Sequence, residues 1–148
     1  MLEIRQVQPQ DFFSVLKIAY NTLPERYSPT VFNAFYESYP QGFLVADENK
    51  KVIGFIVGVK TIDDIVRIPM LAVSEKYRRK NIGSKLIFKL MEIINKENIN
   101  KIELEVKTNN LAAINFYKKH GFKIIERLTK FYQSGEDAYI MKRILHSY

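Results

Sequence analysis

Between Leu71 and Leu86 the chain reads Leu-Ala-Val-Ser-Glu-Lys-Tyr-Arg-Arg-Lys-Asn-Ile-Gly-Ser-Lys-Leu. Leu71, Ala72 and Val73 have the texture of a strand end, Arg78, Arg79, Lys80 and Asn81 that of a basic turn, and Ile82, Gly83 and Ser84 open a helical pattern. The start of a helix presents backbone N–H groups without intrahelical partners and about half a positive charge, a combination that binds phosphate oxygens. Gly83 would let a pyrophosphate approach the backbone, with the three basic residues adding charge. The same residues equally describe a solvated basic turn ahead of an amphipathic helix. A second candidate lies at Lys101 to Val106, where Glu103 and Glu105 alternate with Ile102, Leu104 and Val106. Glu105 stands at the C-terminal end of this strand, where ligand crevices of α/β sheets open. It reads as a general base or, with Glu103, as part of a solvated strand face.

The surrounding pattern supplies the elements that must position these residues. Leu2 to Val7 reads as a strand. A helix follows from about Pro9 and Asp11, with Phe12, Val15, Leu16, Ala19 and Leu23 at helical spacing. Thr22 to Pro29 is a break, and Val31 to Tyr39 a second, aromatic helix. Phe43 to Ala46 and Val52 to Val59 are strands flanking a polar loop, Asp47 to Lys50. Arg67 to Val73 is a further strand in which Pro69, having no N–H for the ladder, predicts a bulge or an edge. Ile82, Leu86, Ile87, Leu90, Met91 and Ile94 form the apolar stripe of a long helix. Another helix begins at Asn110, carries Ala113, Phe116 and Tyr117 at packing spacing, and stops at His120-Gly121. Phe122 to Leu128 and Ala138 to Ile144 are the last strands. This order predicts an α/β layer fold of the α+β type, with a mixed sheet, as one domain over residues 1–148.

Composition narrows the chemistry further. Without cysteine there is no disulfide, thiolate metal site or thiol nucleophile, and His120 and His146 are not spaced as a ligand pair. No metal is expected. The apolar run Val52 to Val59 is far too short to span a bilayer, and the first residues lack the pattern of a secretory signal. A cytoplasmic protein without a membrane partner is therefore expected. The 23 basic against 16 acidic residues, a formal charge of +7, favour a polyanionic partner: nucleic acid, a membrane surface or a phosphate-rich cofactor.

The Arg78–Gly83 segment resembles the acyl-CoA signature of the GNAT acetyltransferases, Arg/Gln-x-x-Gly-x-Gly/Ala. Asn81 stands where the first glycine is usual, and Asn accepts positive φ better than other non-glycine residues. The likeness extends along most of the chain. Glu105 to Tyr117 is similar to the Glu-Val-Arg-x-x-Asn…Ala…Leu-Tyr segment of the RimI branch, and His120-Gly121-Phe122 to its Leu-Gly-Phe ending. Leu23-Pro24-Glu25-Arg26-Tyr27 resembles the acceptor loop of the Ard-type catalytic subunits. Phe131-Tyr132, Gly135 to Tyr139 and Met141-Lys142-Arg143 match that same group.

The resemblance implies the GNAT fold, a mostly antiparallel mixed sheet flanked by about four helices, and transfer of an acetyl group from acetyl-CoA to a protein α-amine. It implies Glu105 as general base and Tyr117 as general acid, although a helical tyrosine beside Phe116 is equally a core residue. Leu71, Ala72 and Val73 would pair with the pantetheine as an added strand. Arg78, Arg79, Lys80, Asn81, Ile82, Gly83 and Ser84 would hold the phosphates, and Asn110 would cap its helix, bind CoA or do both. Leu23, Pro24, Glu25, Tyr27 and Tyr132 would hold the acceptor. For Tyr27 and Tyr132 the alternative is packing against the two N-terminal helices. The strand before the signature carries Arg67 and lacks the glutamate that many other members place there, which favours Glu105. The implied partners are protein or peptide N-termini, with the ribosome or an auxiliary subunit, and no specific nucleic acid. The competing readings are the same fold acting on a small amine and, more remotely, a non-enzymatic RNA-binding module.

Overall fold

The structure, a computed structural model, describes residues 1–24 and 27–145. Seven strands form one sheet: β1 (Leu2–Gln6), β2 (Phe43–Glu48), β3 (Lys51–Lys60), β4 (Ile65–Val73), β5 (Lys101–Lys107), β6 (Lys123–Leu128) and β7 (Ala138–Ile144), in the order β1-β2-β3-β4-β5-β7-β6. Only the β4–β5 pair is parallel. The helices are α1 (Phe12–Thr22), α2 (Pro29–Ser38), α3 (Ile82–Lys96) and α4 (Leu111–Lys119), supplemented by three single 3-10 turns. This is the mixed, mostly antiparallel architecture expected. Among the described residues no helix is long and apolar enough to cross a membrane.

The sheet carries a hydrophobic core on each face. On one, Val15, Ile18 and Ala19 of α1 and Phe32 of α2 pack on Phe43, Val45, Phe55 and Val57. On the other, the whole predicted stripe of α3 (Ile82, Leu86, Ile87, Leu90, Met91, Ile94) meets Leu44, Ile56, Ile102 and Leu104. Successive residues of β2 enter the two cores in turn, and in β5 the buried Ile102, Leu104 and Val106 alternate with Lys101, Glu103 and Glu105, the period of two of a strand. The turn between β2 and β3 is tighter than the expected Asp47–Lys50 loop. The strands run on to Glu48 and from Lys51, leaving Asn49 and Lys50, at φ 51° and 72°, as a two-residue turn whose twist suits a hairpin.

Arg5 joins the two ends of this layer, an interaction that spacing gave no sign of. Its guanidinium grips Asp11 through both oxygens at 2.7 and 3.0 Å and reaches Asp47 at 3.0 Å. Burial pushes the Asp11 carboxyl up, but hydrogen bonds from Arg5 and the Gln8 N–H outweigh it and hold the group below the ordinary carboxylate range.

Pro69 has the effect expected of it, and a second one. Val57 pairs with Met70 but Val59 with Arg67, so β4 accommodates one extra residue at Ile68–Pro69. The extra residue inverts the faces: Val66 and Ile68 enter the α3 core, whereas Met70 and Ala72, also even-numbered, enter the α1–α2 core. Pairing with β5 ends at Arg67↔Glu103. Beyond that point the two strands separate, and a wedge opens between them.

Candidate active site

The wedge is filled by two cavities that meet. The first, of about 410 Å³, lies between the end of β4, the basic turn and α4. Its floor is Leu71, Ala72 and Val73, on the edge of β4 that no longer pairs with β5. Its rim is Arg78, Arg79 and Asn81, followed by Ile82, Gly83 and Ser84 at the start of α3. Arg79 and Asn81 take positive φ, 70° and 59°. Asn81 thus adopts the left-handed conformation that the usual glycine would supply, and its side chain does not cap the helix. The first-turn N–H groups have no side-chain cap from Asn81 and lie at the rim of the cavity, where an anion could be received. A Cβ built on Gly83 would meet only Phe116, at 3.4 Å. The glycine is therefore left bare toward the cavity without being forced by protein packing.

Lys80 lies outside this lining. Its ammonium sits 5.5 Å from the centre of the Tyr77 ring, and Tyr77 itself joins the wall. Asn110 is also away from this cavity: its Oδ1 accepts the Ala113 N–H at 3.1 Å, capping α4, and the residue lines the second cavity instead. Phe116 and Lys119, both on α4, complete the wall opposite the helix start. Phe116 carries the helical spacing of a core residue, and nothing in its sequence context separates wall from core.

The second cavity, about 320 Å³, is bounded by Leu23, Pro24 and Tyr27 from the α1–α2 connection, by Glu105 and Lys107 from the end of β5, by Asn110 at the start of α4, and by Phe131 and Tyr132 from the β6–β7 loop. Glu25, the remaining acceptor candidate, lies outside the described residues. Tyr27 serves both readings given to it, since it packs against the α1–α2 core while lining the cavity. Tyr132 stands under Lys107, whose ammonium is 5.2 Å from the ring centre and 3.5 Å from Glu136. The loop that carries it is tied down by Asp137, which accepts the Lys130 N–H at 2.9 Å and pairs with Arg127 at 2.8 Å.

Leu23, Leu71, Ala113 and Tyr117 belong to both cavities. Tyr117 is the polar member of that set. It is 9% exposed, wedged against Phe116 and Phe122, and burial pushes its hydroxyl well above the ordinary tyrosine range. It therefore keeps its proton through neutral pH and can serve as a donor. Glu105 is not the solvated strand residue that alternation also allowed: its carboxylate and that of Glu103 share the Arg67 guanidinium. Arg67, noted in the sequence only as the absence of a carboxylate, is thus the fixed cation behind the candidate base. Burial works against the Arg67 charge, and the two carboxylates overcome it, raising its pKa.

A long phosphate-bearing ligand in the first cavity would bring its far end to Tyr117, and an extended chain entering the second would meet it there. Known proteins resemble the chain over most of its length. The model for the acetyltransferase (GNAT) family matches residues 6–122. An N-alpha-acetyltransferase of Sulfurisphaera tokodaii is 34% identical, over 93% of this chain and 90% of its own. One from Saccharolobus solfataricus is 34% identical over 96% and 92%. The crystal structure of Ard1 from Thermoplasma volcanium superposes with a TM-score of 0.95 at 36% identity, covering 99% of both chains. Arabidopsis thaliana Naa50 in complex with the bisubstrate analogue CoA-Ac-MVNAL gives 0.86 at 27% identity, covering 96% and 97%. The chain belongs to the acetyltransferase (GNAT) family, and acetyl-CoA is its acetyl donor.

Proposed function

We propose that this chain, acting as one catalytic domain, moves the acetyl group of acetyl-CoA to the α-amine at the N-terminus of a protein. The observation that carries this reading is the junction at Tyr117, which belongs both to the cavity under the α3 N-terminus and to the cavity walled by Glu105, Tyr27 and Tyr132. Acetyl-CoA occupies the first cavity, with phosphates on the N–H groups of Ile82, Gly83 and Ser84 and pantetheine along Leu71 to Val73. The peptide enters the second with its chain end foremost.

An α-amine with an ordinary pKa of about 7.7–8 is largely protonated at neutral pH and must lose a proton before it attacks. Glu105 accepts that proton. The nitrogen then adds to the thioester carbonyl carbon, the C–S bond breaks, and the leaving thiolate takes a proton from Tyr117. The acylated nitrogen then loses its remaining extra proton, which returns Tyr117 to its neutral form, and Glu105 releases its proton to solvent. No covalent enzyme intermediate is needed, in keeping with a chain that has no cysteine.

The acceptor cavity's charges favour a peptide over a small polycation. Among its described residues Glu105 is the one carboxylate; it is paired with Arg67, and the Lys107 ammonium lines the same cavity. Similar proteins support the choice: the relatives above carry the name N-alpha-acetyltransferase, and the Naa50 neighbour was crystallised with a CoA–peptide conjugate. A neighbour at 27% identity comes from a NatC complex, which supports an auxiliary subunit here too. The test is a peptide bearing both a free N-terminus and an internal lysine. Mass spectrometry should find the acetyl group on the α-amine; predominant lysine acetylation would overturn the reading.

A further inference from the structure

At the end of α4 stands His120, where the family resemblance would put leucine. A polar ring replaces an apolar side chain, and it is buried, at 6% exposure. Its Nε2 lies 2.9 Å from Ser84 Oγ, and Ser84 is the third residue of α3 and part of the cofactor cavity's rim. The ring is gripped by Phe116 at 4.7 Å and by the edge of Phe88 at 5.2 Å, and Phe116 is itself a wall of that cavity. The His120 backbone is fixed as well, its carbonyl accepting from Arg143 Nη1 at 2.7 Å. The imidazole is therefore held at ring and backbone, and its one recorded hydrogen bond goes to a hydroxyl beside the phosphate-binding turn.

The direction of that bond decides what the hydroxyl can offer the cavity. If Ser84 donates to the ring, its lone pairs point outward and repel an anion. If Nε2–H donates to Ser84, the hydroxyl proton is turned outward and meets an anion as a donor. We propose that His120 is a positioning residue for acetyl-CoA: it donates from Nε2 to Ser84 Oγ and so commits the Ser84 hydroxyl to a pyrophosphate oxygen of the cofactor.

The surroundings favour this arrangement. Lys119 on its own helix and Arg143 from β7 face the ring, and α3 contributes Ser84 and Phe88. Lys123 and Lys142 line the outer side of the ring's pocket, where no carboxylate stands among the described residues. Burial, with Lys119 and Arg143, keeps the imidazole below its ordinary pKa, so near neutrality it holds one N–H to donate. An arriving pyrophosphate fixes that proton on Nε2, because the alternative tautomer leaves an oxygen lone pair aimed at a phosphate oxygen.

The inference rests on the cavity being the acetyl-CoA site, and the experiment separates the two. Calorimetric titration of CoA is performed on the wild type, Gly83→Glu, Ser84→Ala, His120→Leu, His120→Gln and the Ser84→Ala/His120→Leu double variant. Gly83→Glu should bind no CoA; unaltered binding there would overturn the cavity assignment itself. His120→Leu, which fills the same volume and restores the family's usual residue, should weaken CoA roughly tenfold, the weight of one hydrogen bond to a charged group. Ser84→Ala should lose a similar factor, and the double variant no more than either. His120→Gln, whose amide nitrogen can donate to Ser84, should recover most of the loss. Dephospho-CoA should show the same ratios, because the pyrophosphate and not the 3′-phosphate is the partner. Unchanged affinity in folded His120→Leu, additive losses in the double variant, failure of glutamine to rescue, or ratios that vanish with dephospho-CoA would each overturn the proposal.

Discussion

The cofactor cavity is lined by the free edge of β4 at Leu71 to Val73 and the first turn of α3 at Ile82 to Ser84, with Arg78, Arg79 and Asn81 of the basic turn between them. Across Tyr117, the acceptor cavity is faced by rings and charged side chains, many on connections: Tyr27 and Pro24 between α1 and α2, Phe131 and Tyr132 between β6 and β7. The first half is a shape imposed by main-chain geometry, and it suits a ligand whose pantetheine and phosphates are the same in every reaction. The second half is built from side chains that can change without disturbing a strand or helix, as befits acceptors that differ in sequence. Substitutions on the two sides should therefore fail in different ways.

The largest effect is expected on the main-chain side. Gly83→Glu sets a carboxylate where the pyrophosphate lies, and like charges about 4 Å apart cost about 4 kcal/mol near a surface, or roughly a thousandfold in affinity. Calorimetry should detect no acetyl-CoA binding while circular dichroism shows α3 intact, since a glutamate suits a helix start. Next comes Glu105→Gln, which removes the proton acceptor. Turnover should fall by roughly 10²–10⁴-fold with acetyl-CoA affinity unchanged. A variant that keeps near-normal turnover at pH 7 removes Glu105 from the mechanism.

At the junction, Tyr117→Phe keeps the ring packed on Phe116 and Phe122 and removes only the buried proton. Its turnover should fall about 10²-fold in steady-state assays, at unchanged thermal stability. Smaller still, Tyr27→Ala with Tyr132→Ala should raise the peptide KM about tenfold and leave the acetyl-CoA KM within experimental error, as expected for lost binding contacts. A matched rise in both constants would erase the division between the two halves. The smallest effect is at Asn81, whose φ of 59° glycine accepts freely and a β-branched residue does not. Asn81→Gly should change acetyl-CoA affinity less than about twofold, whereas Asn81→Val, strained by about 1–3 kcal/mol, should weaken it several-fold in the same titration.

This division also governs how much could be read from the chain alone. The α3 stripe, the alternation of β5 and the Asn110 and Gly121 helix boundaries are local patterns, and all reappear in the structure. The layout of the basic turn is legible for the same reason: a strand, a basic turn and a helix start are contiguous. Contiguity does not say which way a side chain leaves a turn, and Lys80 leaves toward Tyr77. Arg67 beside Glu103 and Glu105, or Ser84 beside His120, joins residues 36 or more positions apart. Such meetings depend on strand order and on how the helices pack, which no local pattern records. The acceptor loops were recognisable only through resemblance, since two tyrosines on polar connections carry no periodicity.

The bulge at Ile68–Pro69 has a consequence for self-association. A strand edge with unsatisfied N–H and C=O groups is a template on which other chains can pair, and proteins commonly protect such edges with charge, brevity or cover. Here the half of β4 that leaves β5 faces the inside of a wedge, with α4 and the diverging strand on its other side. A single extended ligand can lie along it, whereas a second sheet cannot approach. By changing register in mid-strand, the chain keeps an open hydrogen-bonding edge for its cofactor and withholds the same edge from its neighbours in a concentrated solution.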